Sequence, residues 1–233
     1  MTAVELREML DAARESLREQ DFARAFALAD DVLAAAGDDR PARAGAHHVR
    51  GLCHAARRDI DSALPELRMA VEADGAAAAY RVTLGDALMR KGDIAGALGE
   101  FSAACDAEPG HALANLQLGN AHARLGQFDR AEEAYLRYSE LRPGDPQGKS
   151  NIGNITAMTG RPEAAVALYE AALSLEPDMA GILSNLGNVL MQLGRPAEAI
   201  ERYRKALKLE PGNAAIRRNL SLAEKMLKEG RGA

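Results

Sequence analysis

The stretch Ala180–Asn213, AGILSNLGNVLMQLGRPAEAIERYRKALKLEPGN, predicts two helices joined by a tight turn. Apolar residues of its first half recur at three- and four-residue steps, at Leu183, Leu186 and Leu190. That spacing places them on one face of a helix. Gly194 ends this helix and Pro196 opens the next, at a first-turn position where a missing backbone N–H costs nothing. One helical hairpin cannot bury both of its faces, so the stretch predicts copies of itself on either side.

The copies follow at a period of 34 residues. The small residue Gly187 has equivalents at Gly153, Gly119, Gly85 and Gly51. The same step leads from Ala199 to Ala165, Ala131, Ala97 and Ala63, and from Tyr203 to Tyr169, Tyr135, Phe101 and Leu67. Pro211 has equivalents at Pro177, Pro143 and Pro109. Chance spacing does not produce this agreement, so we predict five consecutive units, 44–77, 78–111, 112–145, 146–179 and 180–213.

The sparse Leu-Gly, Ala, Phe/Tyr, Ala, Pro pattern of these units resembles the tetratricopeptide repeat family. It is similar in particular to consensus-like bacterial arrays and to the repeat region of O-linked N-acetylglucosamine transferases. The resemblance implies an all-α fold, a right-handed α-solenoid built of helix-turn-helix units. It also implies that the first helix of each unit lines a concave groove and that the second helices form the outer side.

Both ends of the array depart from the repeat pattern. Thr2 followed by Glu5 predicts a capping box that opens a helix, and a degenerate unit is expected at 6–39. Residues 40–43 are extra to the period, and we expect them to form a lengthened turn. Residues 214–229 predict a lone capping helix with a polar outer face. The whole chain, 1–233, is therefore predicted to form a single array.

Composition narrows the class of protein. The net charge of −5 argues against a general nucleic-acid binder, which needs a basic surface. No apolar run approaches the roughly 18 residues that a membrane helix needs, and no secretory signal is evident at the N-terminus. Cys53 and Cys105 are interpreted as reduced packing residues because they show no CxxC spacing. These features predict a cytoplasmic protein without a membrane partner.

The resemblance and the helical phase together place a set of residues on the concave side. They are His48, Val49, Leu52, Val82, Asp86, Leu116, Gln117, Asn120, Asn151, Asn154, Asn185, Asn188, Arg218 and Asn219. This groove is expected to be partly apolar early and rich in amides late, with a basic residue near its far end.

A column of amides within this set recurs once per unit, at Gln117, Asn151, Asn185 and Asn219. An amide side chain offers both a donor and an acceptor, so such a column could hydrogen-bond the main chain of an extended peptide. A similar asparagine ladder lines the repeats of O-linked N-acetylglucosamine transferases. The alternative is that these residues only brace neighbouring helices, and the sequence leaves both interpretations open.

The sequence contains no pattern typical of catalysis or cofactor binding. Glycine-rich phosphate loops, GxSxG elbows and paired catalytic carboxylates are absent. His47 and His54 share a helix face, but no third metal ligand accompanies them. We therefore predict a protein that is not an enzyme and that binds neither a metal nor a cofactor.

The function predicted from these features is a protein–protein interaction scaffold that binds an extended peptide segment of a partner in its groove. One alternative is that the chain is the substrate-targeting region of a larger enzyme, such as a glycosyltransferase. A second alternative is self-assembly into an oligomeric scaffold, with the divergent N-terminal end docking into another copy. Nucleic-acid binding is disfavoured by the net charge and by the lack of a basic groove.

Overall fold

Thirteen α-helices and no strand make up the part of the chain that the computed structural model describes, residues 1–230. The helices are α1 (Ala3–Arg18), α2 (Phe22–Ala35), α3 (Arg40–Ala56), α4 (Ile60–Ala73), α5 (Ala78–Lys91), α6 (Ile94–Ala107), α7 (Ala112–Arg124), α8 (Phe128–Leu141), α9 (Pro146–Met158), α10 (Pro162–Leu175), α11 (Ala180–Gln192), α12 (Pro196–Leu209) and α13 (Ala214–Gly230). The all-α prediction is confirmed.

The chain divides into two compact units, Met1–Leu125 and Gly126–Ala233, the second described as far as Gly230. Within each unit, consecutive helices pack against each other, and the first helix of one hairpin also contacts the first helix of the next. In the first unit α3 contacts α5 and α5 contacts α7, while in the second unit α9 contacts α11 and α11 contacts α13. Packing that involves only near neighbours in the chain is the arrangement of a solenoid of helical repeats.

The glycine column of the repeat is explained by a close approach within each hairpin. A Cβ atom added at Gly187 would lie 2.6 Å from Tyr203 Cε1, and one added at Gly51 would lie 2.5 Å from Leu67 Cδ2. Real Cβ atoms do not approach carbon this closely, so a side chain in the first helix would displace the large residue of the second. The paired columns, small on one helix and large on the other, therefore set how closely each hairpin closes.

Helix starts follow the capping signals of the sequence. The Thr2–Glu5 capping box is present, with Glu5 N–H donating to Thr2 Oγ1 and Thr2 N–H donating to Glu5 Oε2. Three second helices begin after an aspartate whose carboxylate accepts a first-turn N–H, at Asp21, Asp59 and Asp93. Pro162 and Pro196 take the first-turn position of α10 and α12 instead.

One local prediction is wrong: residues 40–43 do not form a lengthened turn. They are the first residues of α3, which runs for 17 residues. Asp39 caps this helix by accepting from Ala42 N–H at 3.0 Å, and Pro41 lies in its first turn. Because these start signals lie upstream of the repeat, the insertion lengthens a helix and leaves the connection short.

Candidate functional site

Pairs of asparagines join successive first helices in the second unit. Asn185 Nδ2 on α11 donates to Asn154 Oδ1 on α9 at 3.0 Å. One repeat later, Asn219 Nδ2 on α13 donates to Asn188 Oδ1 on α11 at 2.9 Å. We call these two contacts the amide pairs. They bring together four of the residues that the sequence places in the groove.

The accepting asparagine of each amide pair also accepts a hydrogen bond from the second helix of the same hairpin. The Tyr169 hydroxyl donates to Asn154 Oδ1 at 2.7 Å, and the Tyr203 hydroxyl donates to Asn188 Oδ1 at 2.8 Å. Burial raises the pKa of both tyrosines to about 12, so these hydroxyls stay protonated donors at neutral pH. The oxygens of Asn154 and Asn188 thus each receive two hydrogen bonds, which fills both lone pairs of a carbonyl.

The geometry leaves half of each amide pair without a partner. Among residues 1–230, the Nδ2 groups of Asn154 and Asn188 donate no hydrogen bond, and the Oδ1 atoms of Asn185 and Asn219 accept none. Each pair therefore offers one unused NH2 group and one unused C=O group, held in place by the half that is hydrogen-bonded. Asn151 lies half-buried on α9, at the position of Asn185 one repeat earlier.

The first unit has a related but acidic version of this contact. Gln117 Nε2 on α7 donates to Asp86 Oδ1 on α5 at 2.6 Å, and Asn120 Nδ2 donates to Gln117 Oε1 at 2.6 Å. Asp86 holds the position of Asn154 and Asn188, so a carboxylate replaces the amide. Burial raises the pKa of the Asp86 carboxyl to about 6, although the Gln117 hydrogen bond and the charge of Arg90 act in the opposite direction.

His48 is a neutral side chain locked between helices. Its Nε2 lies 2.9 Å from Thr83 Oγ1, and the Thr83 hydroxyl already donates to the Ala79 carbonyl at 2.9 Å. Since a hydroxyl has one proton, His48 Nε2 must be the donor in the first contact. The ring also contacts Tyr80, with centroids 4.7 Å apart. Burial, reinforced by the positive charge of Arg14, lowers the pKa of His48 to about 4.

Most of the apolar residues expected to line the groove are buried in the structure. Val49, Val82 and Leu116 are only 0%, 3% and 6% exposed, so they offer almost no surface to a partner. Val49 packs with the core around α1 to α3, and Val82 packs with the core around Phe101. Of the four apolar positions considered, Leu52 alone is partly exposed.

Three exposed apolar residues on the first helices of the second unit were not among the residues predicted to line the groove. Met158 is 66% exposed, Leu222 is 54% exposed and Met226 is 39% exposed. Leu222 follows Asn188 by one repeat, and Met158 and Met226 flank Gln192 at the same step. Counting onward by one repeat from Asn188 could have found Leu222, and a further step of four residues from Asn154 and from Leu222 leads to Met158 and Met226 on the same helix face. Arg218 is exposed on α13 and makes no ion pair within residues 1–230.

Residues 1–230 were also considered for a metal site, for reactive cysteines and for a membrane-spanning helix. No group of three His, Cys, Asp or Glu side chains there could hold a metal ion. His47 instead contacts Glu66, with Nδ1 2.8 Å from Oε2. Cys53 and Cys105 are free thiols, and burial raises the pKa of both. Between residues 1 and 230, none of the helices combines the length and the hydropathy required to cross a bilayer.

Known structures share this arrangement of helices. The type IV pilus biogenesis factor PilW is 22% identical, with 95% of this chain and 99% of PilW covered and a TM-score of 0.79. YrrB, described as a TPR protein with an unusual peptide-binding site, is 21% identical, with 84% and 99% covered and a TM-score of 0.67. A fragment of MamA from Desulfovibrio magneticus RS-1 is 19% identical, with 74% and 97% covered and a TM-score of 0.67. At these identities the likeness shows a shared fold.

Sequence comparison gives the family. No curated protein sequence matches the chain significantly. The model of the tetratricopeptide repeat family matches residues 82–146, 157–214 and 184–225, which together cover more than half of the chain. The matched ranges contain the Asn188–Asn219 pair and the Asp86–Gln117 contact, whereas Asn154 of the other pair lies between two of them. The chain belongs to the tetratricopeptide repeat family.

Proposed function

We propose that this chain is a non-enzymatic interaction module that binds an extended segment of a partner protein along its first helices. The observation that carries the proposal is the unused half of each amide pair. Asn188 presents N–H and Asn219 presents C=O, and the same arrangement one repeat earlier involves Asn154 and Asn185. Bracing and peptide contact are then compatible, because each pair uses one end of its amides for each task.

An extended peptide has matching chemistry. Its main chain exposes C=O and N–H groups whatever its side chains are, so amide pairs can hold it without reading its sequence. The pairs repeat with the helices, which suits a ligand that is itself periodic. Exposed Met158, Leu222 and Met226 lie on the same first helices and supply apolar surface for side chains. Exposed Arg218 offers a contact for an acidic group.

The family and its known structures support a role in protein interaction. YrrB is described as having an unusual peptide-binding site, and PilW as a factor in pilus biogenesis. The proposed role requires no metal or cofactor. We also propose a reducing, cytoplasmic setting, in which Cys53 and Cys105 stay as the free thiols of the structure.

The test separates peptide contact from bracing with the double variant Asn154→Asp/Asn188→Asp. A carboxylate oxygen can still accept from the tyrosine and from the neighbouring amide, but the N–H donors are gone. Binding of fluorescent extended peptides that lack lysine and arginine should weaken roughly 10-fold or more, at one lost hydrogen bond per repeat, when it is measured at a temperature where both proteins are folded. The control Tyr203→Phe should lower the melting temperature and leave the affinity nearly unchanged. Equal affinities for wild type and the double variant would reject the proposal.

A further inference from the structure

The first unit departs from the amide pairs at two positions together. Asp86 stands where the second unit has Asn154 and Asn188, and Phe101 stands where it has Tyr169 and Tyr203. In the second unit the tyrosine hydroxyl donates to the asparagine oxygen. In the first unit the acceptor has become a carboxylate while the hydroxyl that would serve it has disappeared.

The Asp86 carboxylate is left under-satisfied. Its Oδ1 accepts from Gln117, and Gln117 is in turn engaged by Asn120. Its Oδ2 accepts no hydrogen bond from residues 1–230, and the side chain is only partly exposed. A half-buried carboxylate without a cation loses hydration that one hydrogen bond does not restore.

The nearby cations are occupied elsewhere. Arg90 lies one turn along α5 from Asp86, but its Nη2 donates to the Ala55 carbonyl at 3.1 Å. Lys91 pairs with Asp61 on α4. Neither side chain forms an ion pair with Asp86 within residues 1–230. The Asp86 charge therefore has no ion-pair partner within residues 1–230, although the more distant charge of Arg90 acts on it, and it lies on a helix next to the one that carries Gln117 and Asn120.

We infer that Asp86 is a specificity-determining residue that selects a lysine or arginine side chain of the bound partner segment. The inference rests on the proposed function, since it assigns one contact of a partner segment that lies along the first helices of the first unit. A cation placed at Oδ2 would supply the missing hydrogen bond and neutralise the charge, which an amide at this position could not achieve. The amide pairs of the second unit accept any sequence, whereas the first unit reads one basic residue.

The variant Asp86→Asn tests this directly, because it installs the residue that the other repeats use. A positional-scanning library of blocked ten-residue peptides is screened against the wild type, and the best peptide is remade with norleucine in place of its basic residue. We expect the wild type to bind the basic peptide about 10-fold more tightly, as for a hydrogen bond to a charged group. Asp86→Asn should bind both peptides within about twofold of each other.

Two control variants isolate the carboxylate. Asp106→Asn removes the same charge from an exposed position of α6 and should keep the preference for the basic peptide. Phe101→Tyr restores the hydroxyl beside Asp86 and should weaken that preference. An equal preference in the wild type and Asp86→Asn, or none in the wild type, would overturn the inference while peptide binding through the amide pairs stands. Failure of every library member to bind the wild type would overturn the proposed function as well.

Discussion

The Tyr203 hydroxyl donates to Asn188 Oδ1 at 2.8 Å, from the second helix of a hairpin to the first. The same oxygen accepts from Asn219 Nδ2 at 2.9 Å, on the first helix of the following repeat. One side-chain oxygen thus connects three helices, α11, α12 and α13. The equivalent oxygen of Asn154 connects α9, α10 and α11. In these two repeats, directional hydrogen bonds are therefore added to packing that is otherwise apolar.

This shared oxygen predicts coupling between Asn188 and Tyr203. Tyr203→Phe removes one donor and should lower the free energy of unfolding by about 1 kcal/mol. Asn188→Ala leaves the buried Tyr203 hydroxyl and the Asn219 amide unpaired, and should cost about 2 kcal/mol. The double variant should cost less than the sum of the two, because Tyr203→Phe removes the hydroxyl that Asn188→Ala would leave unpaired. Urea unfolding of the four proteins measures this, and strictly additive costs would contradict it.

The helices could be predicted from sequence because each marker residue has a local or nearest-neighbour cause. Gly187 is small because Tyr203 fills the space next to it, and Asp93 precedes α6 because its carboxylate caps that helix. Both constraints act within one hairpin, so they recur at the repeat period. The start of α3 was not predicted, because residues 40–43 lie outside that period. Asp39 and Pro41 are nevertheless typical of a helix start, as an N-cap and a first-turn proline.

The site was less predictable than the fold. Helical phase identifies which face of a first helix looks inward, but it does not tell how far the neighbouring helices cover that face. Val82 lies on that face by phase and is nevertheless buried against the core around Phe101. The orientation of the amide pairs was also outside the reach of the sequence. It depends on a tyrosine 15 residues away and an amide 31 residues away meeting at one oxygen.

Two glycines of α11 should respond to alanine in opposite directions. A Cβ at Gly187 would lie 2.6 Å from Tyr203 Cε1, whereas one at Gly181 meets nothing within 4 Å. Gly187→Ala should therefore destabilise the protein by about 1–3 kcal/mol through overpacking. Gly181→Ala should stabilise it by about 0.5–1 kcal/mol through the higher helix propensity of alanine. Thermal unfolding of both variants checks this, and equal shifts would show that the glycine column has no packing role.

His48 should make the protein sensitive to acid. Its pKa in the folded chain, about 4, lies below the ordinary value of 6.5, so protons bind preferentially to the unfolded state. The contribution of His48 to stability is then complete above pH 6.5 and falls as the pH decreases toward 4, by about 2–3 kcal/mol. His48→Gln keeps a donor for Thr83 and cannot titrate.

The measurement is the difference in unfolding free energy between wild type and His48→Gln at pH 7, 5.5 and 4. That difference should move in favour of the variant as the pH falls, and the comparison cancels the carboxylates that both proteins share. A difference that stays constant from pH 7 to pH 4 would show that His48 titrates alike in the folded and unfolded chains.

Tyr138 and Gly148 form a large–small pair of residues, whereas the same two positions of later repeats hold a small residue and a large one. A Cβ atom added at Gly148 on α9 would lie 3.0 Å from Tyr138 Cδ1 on α8 and closer still to Ser139 Oγ, so the serine hydroxyl must also rotate away. In the following repeats, the position of Tyr138 holds a buried alanine, Ala172 or Ala206. The position of Gly148 holds a buried isoleucine, Ile182 or Ile216. The aromatic ring thus occupies the space that an isoleucine fills elsewhere.

This exchange predicts that the second arrangement can be built at the first site. Tyr138→Ala alone should cost about 3–4 kcal/mol, because it opens a cavity beside α9. Gly148→Ile alone should cost about 1–3 kcal/mol or more, because the new side chain meets the Tyr138 ring and the Ser139 hydroxyl. In the double variant the isoleucine fills the cavity, so the unfolding free energy should lie within about 1–2 kcal/mol of the wild type. The remaining difference reflects the lost hydrogen bond from the Tyr138 hydroxyl to Asp145, which is 2.5 Å long. Urea unfolding distinguishes the cases, since independent sites would make the double variant as unstable as the two single costs combined.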